Sequence, residues 1–341
     1  IKEKNEDILE RTKLRSLLMF NSKITKEHVD LIYNAIERIE FQKEDPVKLI
    51  IVDADNTLWG GIASEDSFEN IKLGSHSLEG ELYVLFQNQL LALKKRGFLL
   101  ALCSKSNQKC SLNLLKDHPE CILKDDDFVS IKCSWAPKSE SIKSIIKEVN
   151  LRLDSVLFID DSYHEIDEVK SNLPEVKTLF LSNDIYTRPK QLRDSIYTTG
   201  EFPTIESGQR TKSYKENIIR FKEKESLINR GENYQIWLNE LQTEVSTRLI
   251  YKPLENNRIK QLMIRSRQFN TNPKLLKSSN ILLNSKAYTF DLKDKHGNMG
   301  LIGIVIINIK ENVFEISQII LSCRSFSRDI EKLMIYYLLN K

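Results

Sequence analysis

Glycine is scarce in this chain, with 11 residues in 341, under half the usual share of about 7%. Neither a Gly-rich P-loop nor a GxGxxG turn occurs, so any bound phosphate is held by other means than a glycine cradle. Cysteine is sparse too. Cys103, Cys110, Cys121, Cys133 and Cys323 are odd in number, irregularly spaced and without a CxxC pair. That argues against a zinc site or a disulfide framework and predicts reduced thiols in a cytoplasmic protein. An excess of one charge is also missing. The 51 Lys and Arg nearly cancel the 48 Asp and Glu, leaving +3, whereas a nucleic-acid binder carries clustered positive excess. The longest uncharged apolar stretch, Met299 to Ile307, falls far short of the roughly 20 residues that span a bilayer. The charged N-terminus lacks the apolar segment of a signal peptide. It begins with Ile rather than Met, which predicts a fragment with sequence upstream. What is present, 40% hydrophobic and 8% aromatic residues, is enough to fold, and the length suggests two domains.

Residues 1–45 carry apolar positions at helical spacing, predicting an N-terminal helical extension that ends before Pro46. Short apolar runs follow at Val47–Val52, Phe98–Cys103, Val156–Ile159 and Thr178–Leu181, with helical patterns between them at Leu78–Lys95, Gln108–Lys116, Lys138–Val149 and Ile166–Ser171. Strand alternating with helix predicts a doubly wound parallel α/β sheet over residues 46–200, whose ligand sits at the carboxyl ends of the strands. A charged helical linker is expected over 201–240, with residues 210–228 reading as a solvated helix face. A smaller α+β domain is expected over 241–341, with strands near 245–251, 287–293, 301–309 and 314–321 and helices at 256–265 and from Arg328. His296-Gly297-Asn298 reads as a hairpin turn.

The chemistry concentrates in Val52-Asp53-Ala54-Asp55-Asn56-Thr57-Leu58-Trp59. Two carboxylates at i, i+2 directly follow a buried strand. In extended chain they point the same way, and in a turn they can take separate roles; either way they call for a compensating cation. Three further polar groups stand in strand-end or helix-start positions: Ser104 after Phe98–Cys103, Lys138 after Trp135-Ala136-Pro137, and Asp160-Asp161 after Val156–Ile159. Read alone, the last pair also suits a helix N-cap.

Apolar strand, D-x-D-x-T, Ser, Lys and DD in that order resemble the haloacid dehalogenase (HAD) phosphotransferases. The resemblance implies Asp53 as nucleophile, Asp55 as general acid and base, and Ser104 as a phosphoryl hydrogen-bond donor. It implies Lys138 as the neutralising cation. Mg2+ would be held by Asp53, the Asp55 carbonyl and an acid of Asp160-Asp161, with Asp161 the favoured ligand and Asp160 holding Lys138. The longer words Asp53 to Ile62, Leu102-Cys103-Ser104-Lys105-Ser106-Asn107 and Phe158-Ile159-Asp160-Asp161 are similar to the FkbH-like branch, although that branch usually has Asn-Pro where Ser162-Tyr163 stands. Arg267 to Asn270, Asp294 to Leu301 and Leu321 to Arg324 resemble that branch's C-terminal GNAT-like region, without the glycine-rich coenzyme A signature of a true GNAT domain. The implied activity is removal of phosphate from 1,3-bisphosphoglycerate and transfer of a glyceryl unit to the phosphopantetheine thiol of an acyl carrier protein. Cys103 would carry a glyceryl thioester, and Arg265, Arg267 and Arg324 would face the acidic carrier. Lys105, Asn107, Trp59, Gly60 and Gly61 are candidate substrate contacts, and His164 a weaker proton-transfer candidate. The runner-up is a phosphatase acting on a small phosphorylated metabolite, and a degenerate scaffold is a third reading.

Overall fold

A computed structural model of the chain describes residues 47–198, 208–231, 233–266, 269–273, 285–310, 313–326 and 328–340. The expected helices of residues 1–45 lie outside the described residues.

The first half is a five-stranded parallel sheet, β1 (Leu49–Val52), β2 (Leu99–Ser104), β3 (Phe128–Cys133), β4 (Val156–Asp160) and β5 (Lys177–Phe180), in the order β3-β2-β1-β4-β5. Alternation along each strand sends side chains to two cores. Ile50, Val52, Leu100 and Leu102 pack beneath α1 (Leu78–Lys95), α2 (Gln108–Asp117) and α5 (Arg188–Asp194). Leu49, Ile51, Ala101 and Phe158 pack beneath α3 (Lys138–Val149), α4 (Tyr163–Asn172) and α6 (Arg210–Asn229). Because both faces are covered, the strands are near-continuous apolar runs, and β1 is fully buried. This is the doubly wound parallel α/β arrangement the sequence predicts.

Local chemistry sets the helix limits. Ser77 caps α1 by accepting from Gly80 N at 3.0 Å, with Glu79 and Glu81 in the first turn and Lys94 and Lys95 in the last, each suited to the helix dipole. Pro137 precedes α3, and Asn150 ends it in a left-handed conformation (φ 53°).

β3 was not among the expected strands. Ser130 and Lys132 interrupt its apolar run, and it lies at the sheet edge, where its second half is only partly covered.

The second half is an antiparallel sheet in the order β6-β7-β8-β9, comprising β6 (Glu244–Tyr251), β7 (Lys286–Asp294), β8 (Gly297–Lys310) and β9 (Val313–Leu321). The β7–β8 hairpin turns at Lys295-His296. Ile259, Leu262 and Met263 of α8 (Asn257–Arg265) pack on one face, and Ile330 and Met334 of α9 (Ile330–Leu339) on the other. A shorter helix, α7 (Tyr234–Glu240), precedes β6.

The charged stretch 210–228 is not solvated all round. Helix α6 places Tyr214 and Ile218 in the α/β core and buries Arg220, whose guanidinium donates to both oxygens of Asp294 at 2.7 and 2.6 Å. Arg328 donates to the same carboxylate at 2.8 Å. Burial pushes Asp294 upward, but the two arginines more than offset it and hold the carboxyl below its ordinary value. This cluster ties α6 to the second sheet. Among the described residues, no helix is long and apolar enough to cross a membrane.

Candidate active site

β1 lies between β2 and β4, so successive connections leave it in opposite directions, and the crevice at its carboxyl end is the place where such sheets bind ligands. Asp53 stands there, its N–H donating to the Ile159 carbonyl of β4 at 3.0 Å. The chain then turns. Leu58 N–H donates to Ala54 O at 2.8 Å, and Asn56 adopts φ 57°, so Asp53 and Asp55 do not continue along one extended face.

Lys138, at the start of α3, reaches this crevice while 2% exposed. Its ammonium donates to Asp53 Oδ1 and to the Cys103 carbonyl at 2.6 Å, and lies 3.3 Å from Asp160 Oδ2. Asp160 Oδ1 accepts from Ser162 N at 2.8 Å, whereas its buried Oδ2, beside the ammonium, meets no well-aligned donor among the described residues. Asp161 is half-buried, accepts from Thr57 Oγ1 at 3.1 Å, and has Arg188 NH2 3.9 Å away. Oxygens of Asp53, Asp160 and Asp161 all lie within 4.8 Å of one another.

Three carboxylates thus crowd one ammonium. Burial pushes the Asp53 carboxyl up to about 7 even though Lys138 pulls it down, and Asp160 adds to the rise. Burial likewise raises Asp160 against the pull of Lys138. Burial alone would lower Lys138, but Asp53 and Asp160 reverse this and keep it charged. A hard, oxygen-preferring divalent cation fits such a donor set and would relieve its negative charge.

Asp55 has a different environment. Its Oδ1 accepts from Trp59 Nε1 at 2.9 Å and from Ala63 N at 3.0 Å. Burial raises this carboxyl, and those two donors only partly offset the rise.

The other sequence candidates are placed less uniformly. Ser104 ends β2 and is 3% exposed. Lys105 pairs with Glu165 at 2.7 Å. Asn107 caps α2, accepting from Lys109 N at 2.9 Å. Trp59 does not wall an open pocket: it is fully buried, and its indole N–H is committed to Asp55. Gly60 pairs with Lys72 through both backbone groups, and a Cβ there would sit 2.8 Å from Tyr83. Gly61 takes φ 107° and donates to Asn56 Oδ1 at 2.9 Å. Turn geometry and packing therefore account for both glycines.

Cys103 is 1% exposed and packs with Leu49, Ile51 and Ala101; burial pushes its thiol up to about 12, against the pull of Lys138. The expectation of an activated thiolate there meets a core cysteine whose carbonyl, rather than its sulfur, is seen holding Lys138. His164 has an 83% exposed side chain. Arg267 lies outside the described residues.

Arg188 was missed. It is 6% exposed, donates to the Asn56 carbonyl and to Ser182 O at 2.7 Å, and so buttresses the loop after Asp53. Thr57 was visible only as the last letter of D-x-D-x-T. The Pro after Arg188 signals a helix start, but no local pattern says that the arginine crosses to β1.

No family model and no curated protein matches the chain. Among solved structures, it is similar to the N-terminal part of the protein BF1531 from Bacteroides fragilis, which contains a phosphatase domain and is complexed with Mg, at 28% identity and TM-score 0.49. The match covers 56% of this chain and 50% of that one, so the chain spans about half of its length. A HAD family enzyme from Bacteroides thetaiotaomicron, in complex with magnesium and inorganic phosphate, is 14% identical over 40% of this chain and 96% of that chain, with TM-score 0.29. A protein from Porphyromonas gingivalis described as a predicted HAD-like family hydrolase is 15% identical over 43% of this chain and 97% of that chain, with TM-score 0.29.

Proposed function

We propose that this chain is a magnesium-dependent phosphohydrolase of the HAD type acting on a small phosphorylated substrate, with Asp53 as its nucleophile. The observation that carries the reading is the meeting of Asp53, Lys138, Asp160 and Asp161 at the carboxyl ends of β1 and β4. Mg2+, held by Asp53, Asp161 and the Asp55 carbonyl, with Asp160 beside them, would neutralise phosphoryl charge and polarise the ester.

The residues divide the remaining work. Asp53 attacks phosphorus, an O–P bond forms, and the bond to the leaving oxygen breaks. Asp55, whose raised pKa favours the protonated form, gives its proton to that oxygen. It then takes a proton from the water that hydrolyses the aspartyl-phosphate. Lys138 orients Asp53 and offsets charge, and Ser104 donates to a phosphoryl oxygen.

A finer proposal rests on the sequence resemblance alone: the substrate is 1,3-bisphosphoglycerate and the glyceryl unit passes to an acyl carrier protein thiol. The burial of Cys103 disfavours a route through that sulfur.

The test is phosphate release with Mg2+ from a panel of phosphate monoesters and from 1,3-bisphosphoglycerate, read beside the intact mass of a phosphopantetheinylated carrier. Release by the wild type that Asp53→Asn abolishes supports the phosphohydrolase. Release that persists in Asp53→Asn sinks it. Phosphate release from 1,3-bisphosphoglycerate without a glyceryl mass gain on the cognate carrier removes the finer proposal.

A further inference from the structure

At the opposite end of the parallel sheet lies a cavity of about 450 Å³, within the size range of small-molecule sites. Its walls come from both halves of the chain. Lys48 and Arg152 approach from the amino ends of β1 and β4, Arg210 from the first turn of α6, Arg258 from α8, Arg248 from β6, and Arg324 from the segment after β9. Lys48 precedes Asp53 by five residues of strand, which separates the cavity from the acidic crevice by roughly 16 Å.

The lining is strongly one-signed. Among the described residues that line it, six are cationic and two, Asp154 and Asp291, carry carboxylates. Each carboxylate is already engaged by an arginine of the same wall, Arg152 at 2.5 Å and Arg248 at 2.9 Å. Those two arginines are the exposed rim, while Lys48, Arg210, Arg258 and Arg324 are half-buried, where salt screens their field less. In a chain whose net charge is only +3, this concentration is local. Five of the six cations are arginines, whose planar fork matches phosphate oxygens in pairs. Thr289 and Ser322 line the same space, and Tyr214, Leu262 and Met299 give it an apolar wall.

We propose that this cavity is a second ligand site, separate from the acidic crevice, that takes a small organic molecule through its phosphate group. The arginines hold the phosphate, and the apolar wall takes the organic body. The acidic crevice, with three carboxylates around Lys138, needs a divalent cation before it can take a phosphate, whereas the cavity would hold one on arginines without metal, so phosphate binding by the metal-stripped chain belongs to the cavity.

The test is calorimetric titration of the metal-stripped full chain, in chelator-free buffer, with inorganic pyrophosphate and with tricarballylate as a polycarboxylate of comparable charge. The proposal expects saturable pyrophosphate binding, weakened at least about tenfold by Arg258→Ala/Arg324→Ala, with tricarballylate binding distinctly weaker. If that variant does not fold, Arg152→Glu/Arg248→Glu at the exposed rim gives the same reading, since neither side chain belongs to the core. Unchanged pyrophosphate affinity in a folded cavity variant overturns the proposal, as does the lack of saturable binding in the wild type. Equal binding of tricarballylate overturns the assignment to phosphate.

Discussion

Replacing Lys138 by Met keeps most of the side-chain length and removes only the charge and its hydrogen bonds. The ammonium contacts Asp53, Asp160 and the Cys103 carbonyl while 2% exposed, so its loss leaves two buried carboxylates without their cation. Breaking a buried pair by removing one partner costs about 3–5 kcal/mol. At roughly 2–4 °C per kcal/mol for a domain of this size, the metal-stripped variant should melt roughly 6–20 °C below the wild type. Two further readings follow from the same charges. Lys138 lowers the pKa of both acids, so in the variant both rise further and ionisation becomes more costly. The deficit should therefore grow as pH rises through the Asp53 value of about 7 and shrink as pH falls and the carboxyls take up protons. Mg2+ should stabilise the variant, because a bound ion supplies positive charge to the same oxygens; at a hundredfold over its Kd this is worth about 2.7 kcal/mol. The assay is scanning calorimetry at several pH values with and without Mg2+. A metal-stripped variant within about 1 kcal/mol of the wild type at neutral pH would refute the reasoning.

Other outcomes follow from particular contacts. Asp294→Asn leaves the buried Arg220 and Arg328 guanidinium groups short of their carboxylate and should cost about 3–5 kcal/mol. Because the folded Asp294 pKa is depressed, its stabilisation is present above the unfolded carboxyl pKa of about 3.9 and lost as pH falls through the folded value. Denaturant melts should accordingly show a flatter acid limb in the variant, and parallel limbs would contradict this. Trp59→Phe removes a donor to Asp55 Oδ1, so the Asp55 pKa rises further and its limb in the pH profile of phosphate release moves to higher pH; an unmoved limb refutes the assigned pairing. Gly61→Ala forces a Cβ to 2.7 Å from Asp66 Oδ2 at φ 107°, costing about 1–3 kcal/mol, a loss that urea unfolding would register.

The sequence was most legible where one physical constraint acted alone. Helix α3 has the limits its periodicity predicts, Lys138–Val149, because a preceding Pro and a terminal Asn mark both ends. Buried strands such as β1 were visible as apolar runs because both faces are covered. Edge strand β3 was not, since Ser130 and Lys132 break the run. The acids and Lys138 stood out because strand-end carboxylates and a helix-start lysine are local patterns. Arg188 did not, because its contacts with Asn56 and Asp161 bridge distant segments. Trp59 and Cys103 were found, yet their surroundings were not predictable from spacing: one is a buried donor to Asp55, and the other turns its thiol into the core.

The proposed phosphohydrolase requires Asp53 to attack phosphorus. Acid quenching during turnover with a phosphate monoester and Mg2+, followed by mass spectrometry of the digested chain, tests it most directly. The account predicts one phosphoryl group on the peptide carrying Asp53, present in the wild type, absent in Asp53→Asn, and accumulating in Asp55→Asn as hydrolysis slows. Phosphate release by the wild type with no phosphoryl group on that peptide, in either the wild type or Asp55→Asn, would contradict it.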